Sequence, residues 1–281
     1  MFDKFRDDLK EKYDFWEQDI LDEDVMDFPE HTLIPAVVEC DAFTLYRYMP
    51  ANYFNIRNIE TQTLHLSTNG VMNDVYEGVP DTDEVISSGS LQKLGDLAVM
   101  TCFSETNDNT LMWSHYAQNH EGFCVAYDVK KLKKDPYGLV KHLFPVIYDG
   151  KRPVRRNLDS LVRSHAELKE AIKDNICYEG EEPLDDVLPL FLVKGLDWKY
   201  EKEWRIIYTQ KQLYDIDEDI LYGGNVSFEC ISAVYLGYRI NPVIKQNIIE
   251  IIERLNKAGF SVDLYQAKLA KEGYGIEFNK V

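Results

Sequence analysis

The stretch Thr101-Cys-Phe-Ser-Glu-Thr-Asn-Asp-Asn-Thr-Leu-Met-Trp-Ser-His-Tyr-Ala-Gln-Asn-His-Glu-Gly-Phe-Cys-Val-Ala-Tyr-Asp128 reads as strand, polar turn, short helix, turn and strand. The apolar run Leu97–Ser104 has the length of a buried strand and breaks into a polar series up to Asn109. Asn109 is placed to cap a helix over Thr110–Gln118, and Gly122–Asp128 returns as a strand. Strand ends and the turns after them are where functional side chains are usually held, so this stretch also opens the search for a site.

Outward from it, strands are expected at Phe43–Tyr48, Thr63–Ser67, Leu139–Tyr148, Glu203–Tyr208, Ala233–Tyr238, Val262–Tyr265 and Gly275–Phe278. Helices are expected near Ala51–Ile59, Ser90–Asp96, Leu158–Cys177, Leu184–Lys194 and Pro242–Ala258, the last with proline at its start and Gly259 beyond its end. Strands dominate the centre and helices interrupt them irregularly. That pattern predicts an α+β fold, with mixed, mostly antiparallel central sheets and flanking helices. Phe2, Phe5, Leu9, Tyr13, Trp16 and Ile20 recur at helical spacing, so residues 1–39 read as a docking helix and connecting segment, and residues 40–281 as a single α+β domain.

With 281 residues, 45% of them hydrophobic, the chain can fill a sizeable core. The net charge of −18 repels phosphodiester backbones, so non-specific nucleic-acid binding is not expected. One basic cluster, Lys151, Arg152, Arg155, Arg156 and Arg163, reads as a solvated face. No apolar run reaches the roughly eighteen residues of a membrane helix, and the N-terminus is too charged for a secretory signal, so a cytoplasmic protein without a membrane partner is expected. Cys40, Cys102, Cys124, Cys177 and Cys230 have no close pair and read as reduced core residues. The glycine-rich nucleotide fingerprints are absent, as are H-E-x-x-H, C-x-x-C and G-x-S-x-G, and His115 and His120 lack partners at metal-ligand spacing, so no metal site is expected.

Four segments carry chemistry beyond packing. In the opening stretch these are Ser104 at a strand end and Trp113, His115 and Tyr116 on the helix, with core packing as the plainer account of Trp113 and Tyr116. In Trp198-Lys-Tyr-Glu-Lys-Glu-Trp-Arg-Ile-Ile-Tyr208, a strand would put Glu201, Glu203 and Arg205 on one face, with carboxylates about 7 Å apart flanking a bound sugar, or else a salt-bridge ladder. Arg47, inside Phe43-Thr-Leu-Tyr-Arg-Tyr48, offers a fork for a diphosphate or a partner for Glu203. Asn73, Asp74 and Glu77 lie in a polar loop, where turn chemistry is the plainer explanation.

The segments LYRY (45–48), MNDVYEG (72–78), CFSETNDNTLMWSHYAQNHEGFCVAYD (102–128) and WKYEKEWRI (198–206) together resemble a bacterial family known as domain of unknown function 2971. The chain also resembles, more loosely, the ADP-ribosyltransferases, which order a basic residue on an early strand, a strand ending in a serine motif and a late strand bearing E-x-E. That resemblance implies an ADP-ribosyltransferase-like fold and cleavage of NAD as substrate, with transfer of ADP-ribose to an unknown acceptor. Catalytic roles would fall to Glu203, Glu201 and Ser104: Glu203 beneath the ribose, Glu201 toward the acceptor, Ser104 orienting the glutamate or ribose. Arg47 and Tyr48 would bind the cofactor together with Trp113, His115 and Tyr116, and His65 or Arg57 are alternatives to Arg47. By analogy, such proteins act as toxins or phage-defence effectors. Two other readings stand beside this one: a non-catalytic ligand-binding or sensor module of a defence system, and a metal-dependent nuclease using Asp74, Glu77, Glu201 and Glu203. The enzyme reading expects Arg47, Ser104 and Glu203 around one cleft. The module reading expects a shared buried salt bridge.

Overall fold

The computed structural model describes residues 3–4, 6–7, 9–11, 43–61, 63–68, 72–81, 98–132, 134, 142–153, 188, 190–209, 224–225 and 228–281. They form an α+β structure around a curled nine-stranded sheet. Its path runs β13 (Ile276–Lys280), β12 (Asp263–Leu269), β11 (Ile231–Leu236), β5 (Phe123–Asp128), β1 (Thr44–Met49), β4 (Ala98–Ser104), β9 (Glu203–Thr209) and β6 (Leu143–Pro145), with β3 (Ser67–Thr68) paired to β4. Only β11 and β12 run parallel in this sheet, and helix α4 (Pro242–Lys257) connects them. Two small pairs complete the strands, β2 (Thr63–Leu64) with β10 (Gly224–Asn225), and β7 (Ile147–Asp149) with β8 (Val193–Gly195).

Strand alternation gives the sheet two distinct faces. One carries Leu45, Met49, Phe103, Val125, Tyr127, Trp204 and Ile206, and buries them against α1 (Tyr53–Thr61), the single turn α3 (Val129–Leu132) and α4 through Ile56, Ile59, Val129, Leu132, Ile248, Ile251 and Ile252. The i, i+3, i+4 isoleucines are the apolar stripe of α4, each stabilising the fold by about 1.5–3 kcal/mol. Asn241 caps this helix by accepting from the Val243 N–H at 2.8 Å, and Gly259 follows it at φ +101°. On the other face two smaller clusters sit apart. One holds Met100, Ile207, Phe191 and Leu9; the other holds Tyr48, Trp113, Cys124 and Ala267 around α2 (Thr110–Tyr116).

The differences from the sequence reading are local. The expected strand Leu139–Tyr148 is two strands, β6 and β7, because Pro145 has no N–H for the ladder and the chain turns at Val146, which donates to Glu203 O at 2.9 Å. The expected helix Leu184–Lys194 does not reach its stated end, since Val193–Gly195 is β8 and pairs with β7. Glu201 is not on the strand with Glu203. It closes a 3-10 helix, Leu196–Glu201, and Lys202 then turns through left-handed backbone (φ 45°, ψ 52°) into β9. The helices expected at Ser90–Asp96 and Leu158–Cys177 lie outside the described residues, as do Cys40, Cys177 and the arginines of the basic cluster beyond Arg152. Cys102, Cys124 and Cys230 are free thiols. Among the described residues no helix is long and apolar enough to cross a membrane.

The N-terminal helix is described only in part, and it docks where β9 begins. Leu9 is buried among Met100, Phe144 and Phe191, and Lys10 pairs with Asp149 at 2.6 Å. Arg6 donates to Val146 O at 3.1 Å and to Glu203 O at 3.4 Å, and pairs with Glu105.

Candidate functional site

Tyr46, Ser104 and Glu203 lie in one row across β1, β4 and β9, so their side chains share a sheet face. Ser104 is fully buried, and its hydroxyl donates to Glu201 O at 2.6 Å while accepting from the Thr106 N–H at 3.2 Å. It therefore fixes the backbone that carries Glu201, and with both bonds made its hydroxyl is committed to the protein.

Beneath this row is a buried ionic cluster. Arg205 is wholly buried and grips Glu203 with a fork, Nε to Oε1 at 2.8 Å and Nη2 to Oε2 at 2.9 Å. The same guanidinium bonds Glu77 and the Phe191 carbonyl. Lys194 Nζ lies 2.6 Å from Glu201 Oε2, 3.1 Å from Glu203 Oε2 and 3.8 Å from Glu77 Oε2. Burial alone would raise the Glu203 carboxyl, but Arg205 foremost and then Lys194 hold it well below the usual carboxylate range. Burial would likewise lower Lys194, and the carboxylates, Glu203 first, raise it instead. Glu201 goes the other way: burial and then the charge of Glu203 raise its carboxyl, against the opposing pull of Lys194. Glu201 is thus held in its ionised form less firmly than Glu203.

Its outer oxygen accepts from Tyr116 Oη, and that phenol accepts from Asn73 Nδ2 at 2.8 Å. Burial and then Glu201 raise the Tyr116 phenol, which keeps it a donor. Around this pair runs a series of half-buried or exposed rings. His115 stands 6.2 Å from Tyr116 and 6.4 Å from Tyr200, and Trp198 stands 6.2 Å from Tyr200, centroid to centroid. Lys194 Nζ lies 4.9 Å from the Trp198 ring centre, so a buried cation backs an outer ring.

The expected site residues divide accordingly. Glu201, Glu203, Ser104, His115 and Tyr116 come together, and with them Lys194, Asn73 and Glu77. Arg47 does not join them, because it follows Tyr46 on β1 and so projects from the opposite face, where it donates to His65 O at 3.1 Å and bonds Tyr127. Tyr48 and Trp113 point toward the right face but are core: Tyr48 is 7% exposed and donates to Thr106 O at 2.8 Å, and Trp113 is fully buried and donates to Asn107 O at 2.7 Å. Neither ring is open to stack on a ligand. Glu203 is locked in a salt bridge, so a carboxylate free beneath a ribose is not what β9 presents. Asp74 serves its own turn, accepting from the Tyr76 N–H at 2.9 Å. The carboxylates of Glu77, Glu201 and Glu203 close on Lys194 and Arg205, and among the described residues no group of three or more metal-binding side chains is placed to hold an ion. Sequence reasoning missed Lys194. Its only available signal was a lone lysine at the end of an apolar run, four residues before Trp198.

Residues 112–206 match the model of a family described as protein of unknown function (DUF2971). The span matched by the DUF2971 model starts in α2 and ends in β9, and so takes in Tyr116, Lys194, Glu201, Glu203 and Arg205 but neither Asn73 nor Glu77. No curated protein and no solved structure matches the chain.

Proposed function

We propose that this chain is a ligand-binding module that takes NAD, cationic nicotinamide ring first, on the ring-lined face over Glu201. The observation that carries the reading is a buried cluster of three carboxylates, Glu77, Glu201 and Glu203, against two cations, Lys194 and Arg205, in which Glu201 is bonded by Tyr116 and the rings of His115, Tyr200 and Trp198 follow on from that phenol. Electron-rich rings above an excess of negative charge favour a flat cation over a neutral ring of the same shape. The opposite placement of Arg47 and the fork of Arg205 on Glu203 favour a binding module over a catalytic triad. The defence setting rests on resemblance alone.

A second reading, ADP-ribosyltransferase-like cleavage of NAD, is favoured by one observation. The bond covering Glu201 comes from a half-buried phenol whose other partner, Asn73, is exposed, and displacement of that phenol would bare a carboxylate for an oxocarbenium-like ribose. In that reading Glu201 takes the role first given to Glu203. Calorimetric titration of NAD together with timed nicotinamide release separates the two. Binding without release supports the module, release that Glu201→Gln abolishes supports the enzyme, and absence of binding by the wild-type protein refutes both.

A further inference from the structure

A cavity of about 410 Å³ opens where the turn after β4, the end of the 3-10 helix and the β12–β13 hairpin meet, and it lies within the size range of small-molecule sites. Its lining combines one cation, Lys202, one carboxylate, Asp108, the hydroxyl side chains Thr106 and Thr110, and two phenol rings, Tyr200 and Tyr274. None of these six belongs to the buried ionic cluster.

Two residues distinguish this wall. Lys202 occupies left-handed backbone, where a side chain crowds its own carbonyl and glycine would be relaxed, and its N–H and C=O are fixed by Lys199 O at 3.3 Å and the Glu105 N–H at 3.1 Å. From this strained position Lys202 lines the cavity. Tyr274 is fully exposed in the β12–β13 hairpin, which Ala270 N closes onto Gly275 O at 3.0 Å, and it lines the cavity. An exposed ring, a second ring at Tyr200, a carboxylate beside hydroxyls and a single cation match a ligand with a flat or sugar-like face, paired hydroxyls and one anionic group.

The geometry points to this cavity as a binding site for a phosphorylated sugar, with Lys202 on the phosphate, Asp108 on adjacent sugar hydroxyls, and Tyr200 and Tyr274 against the ring. The cavity shares Tyr200 with the ring face over Glu201 and otherwise rests on residues outside that face. Ribose 5-phosphate, AMP and inorganic phosphate are titrated by ligand-observed NMR against wild type, Lys202→Gly, Asp108→Asn and Lys257→Ala. Lys202→Gly relaxes the backbone and removes the cation, so a folded protein is retained and ribose 5-phosphate affinity falls at least tenfold. Asp108→Asn lowers affinity for ribose 5-phosphate and leaves inorganic phosphate unchanged, while Lys257→Ala, the loss of an exposed cation at the end of α4, changes neither. Tighter binding of AMP than of ribose 5-phosphate identifies the source as a nucleotide, and equal binding identifies a free sugar phosphate. The assignment is overturned if wild type binds ribose 5-phosphate no better than inorganic phosphate, or if Lys202→Gly retains full affinity.

Discussion

Replacing Arg205 with methionine tests the ionic cluster at its centre. The guanidinium has no solvent exposure and makes four side-chain or carbonyl bonds, two to Glu203, one to Glu77 and one to Phe191 O. Methionine fills much of the same volume, so the loss is electrostatic and little cavity forms. What remains to Glu203 is one cation, Lys194 at 3.1 Å, which it shares with Glu201 at 2.6 Å, and a hydrogen bond from the Cys102 thiol. Removing one partner of a buried pair typically costs about 3–5 kcal/mol, a large part of the ~5–15 kcal/mol that holds a domain folded. At ~2 °C per kcal/mol for a chain of this length, Tm falls by about 6–10 °C. Arg205→Lys recovers little of this, because one ammonium cannot replace a fork that spans two carboxylates and a carbonyl. Urea unfolding followed by tryptophan fluorescence gives the change in midpoint at constant m. A loss below about 1 kcal/mol, or full rescue by lysine, would refute the claim that the fork neutralises Glu203.

Stability should respond to pH at both ends. Lys194 is raised in the folded protein, so its contribution is complete below the ~10.4 of an unfolded lysine and is lost as pH climbs through the higher folded value. Glu203 is depressed, so its contribution is complete above ~4.3 and is lost as pH drops through the lower folded value. Urea midpoints of wild type should therefore decline above pH ~10.4 more steeply than those of Lys194→Met, and parallel slopes would remove Lys194 from the account. Gly237→Ala would bring a Cβ to 2.2 Å from His120 O and 2.6 Å from Gly122 O, both backbone, so a loss of about 1–3 kcal/mol or more is expected in thermal unfolding, and a neutral result would refute that close approach. Arg6→Ala removes the bonds to Val146 O and Glu203 O, and hydrogen exchange at the Val146 and Glu203 amides should rise if the N-terminal helix anchors the start of β9.

The sequence disclosed the sheet better than the site. Period-two alternation and flanking turns located β1, β4, β5, β9 and β11 within a few residues, and proline, Asn241 and Gly259 bracketed α4, because those signals act over a few neighbouring residues. The rest depended on partners distant in sequence. Arg47 and Ser104 look equally suited to a cleft until the pairing Tyr46 with Ser104 assigns Arg47 to the opposite face. Glu201-Lys-Glu203 looks like strand alternation, yet the left-handed turn at Lys202 breaks the strand, and the two carboxylates still meet because Lys194 attracts both. Trp113 and Tyr116 have the same helical spacing as any core pair. The sheet of β1 and β5 buries one, and Glu201 draws the other outward.

The most direct test of the central claim is the affinity of 1-methylnicotinamide, a flat cation, relative to neutral nicotinamide, measured by quenching of tryptophan fluorescence in wild type and Glu201→Gln. The rings and the Glu201 charge together favour the cation by ~1–2 kcal/mol, about five- to thirtyfold tighter binding by wild type, and Glu201→Gln should lower that ratio to what the rings alone supply while leaving nicotinamide affinity nearly unchanged. Equal affinities in wild type, or a ratio that Glu201→Gln leaves unchanged, would rule out a cation site over Glu201.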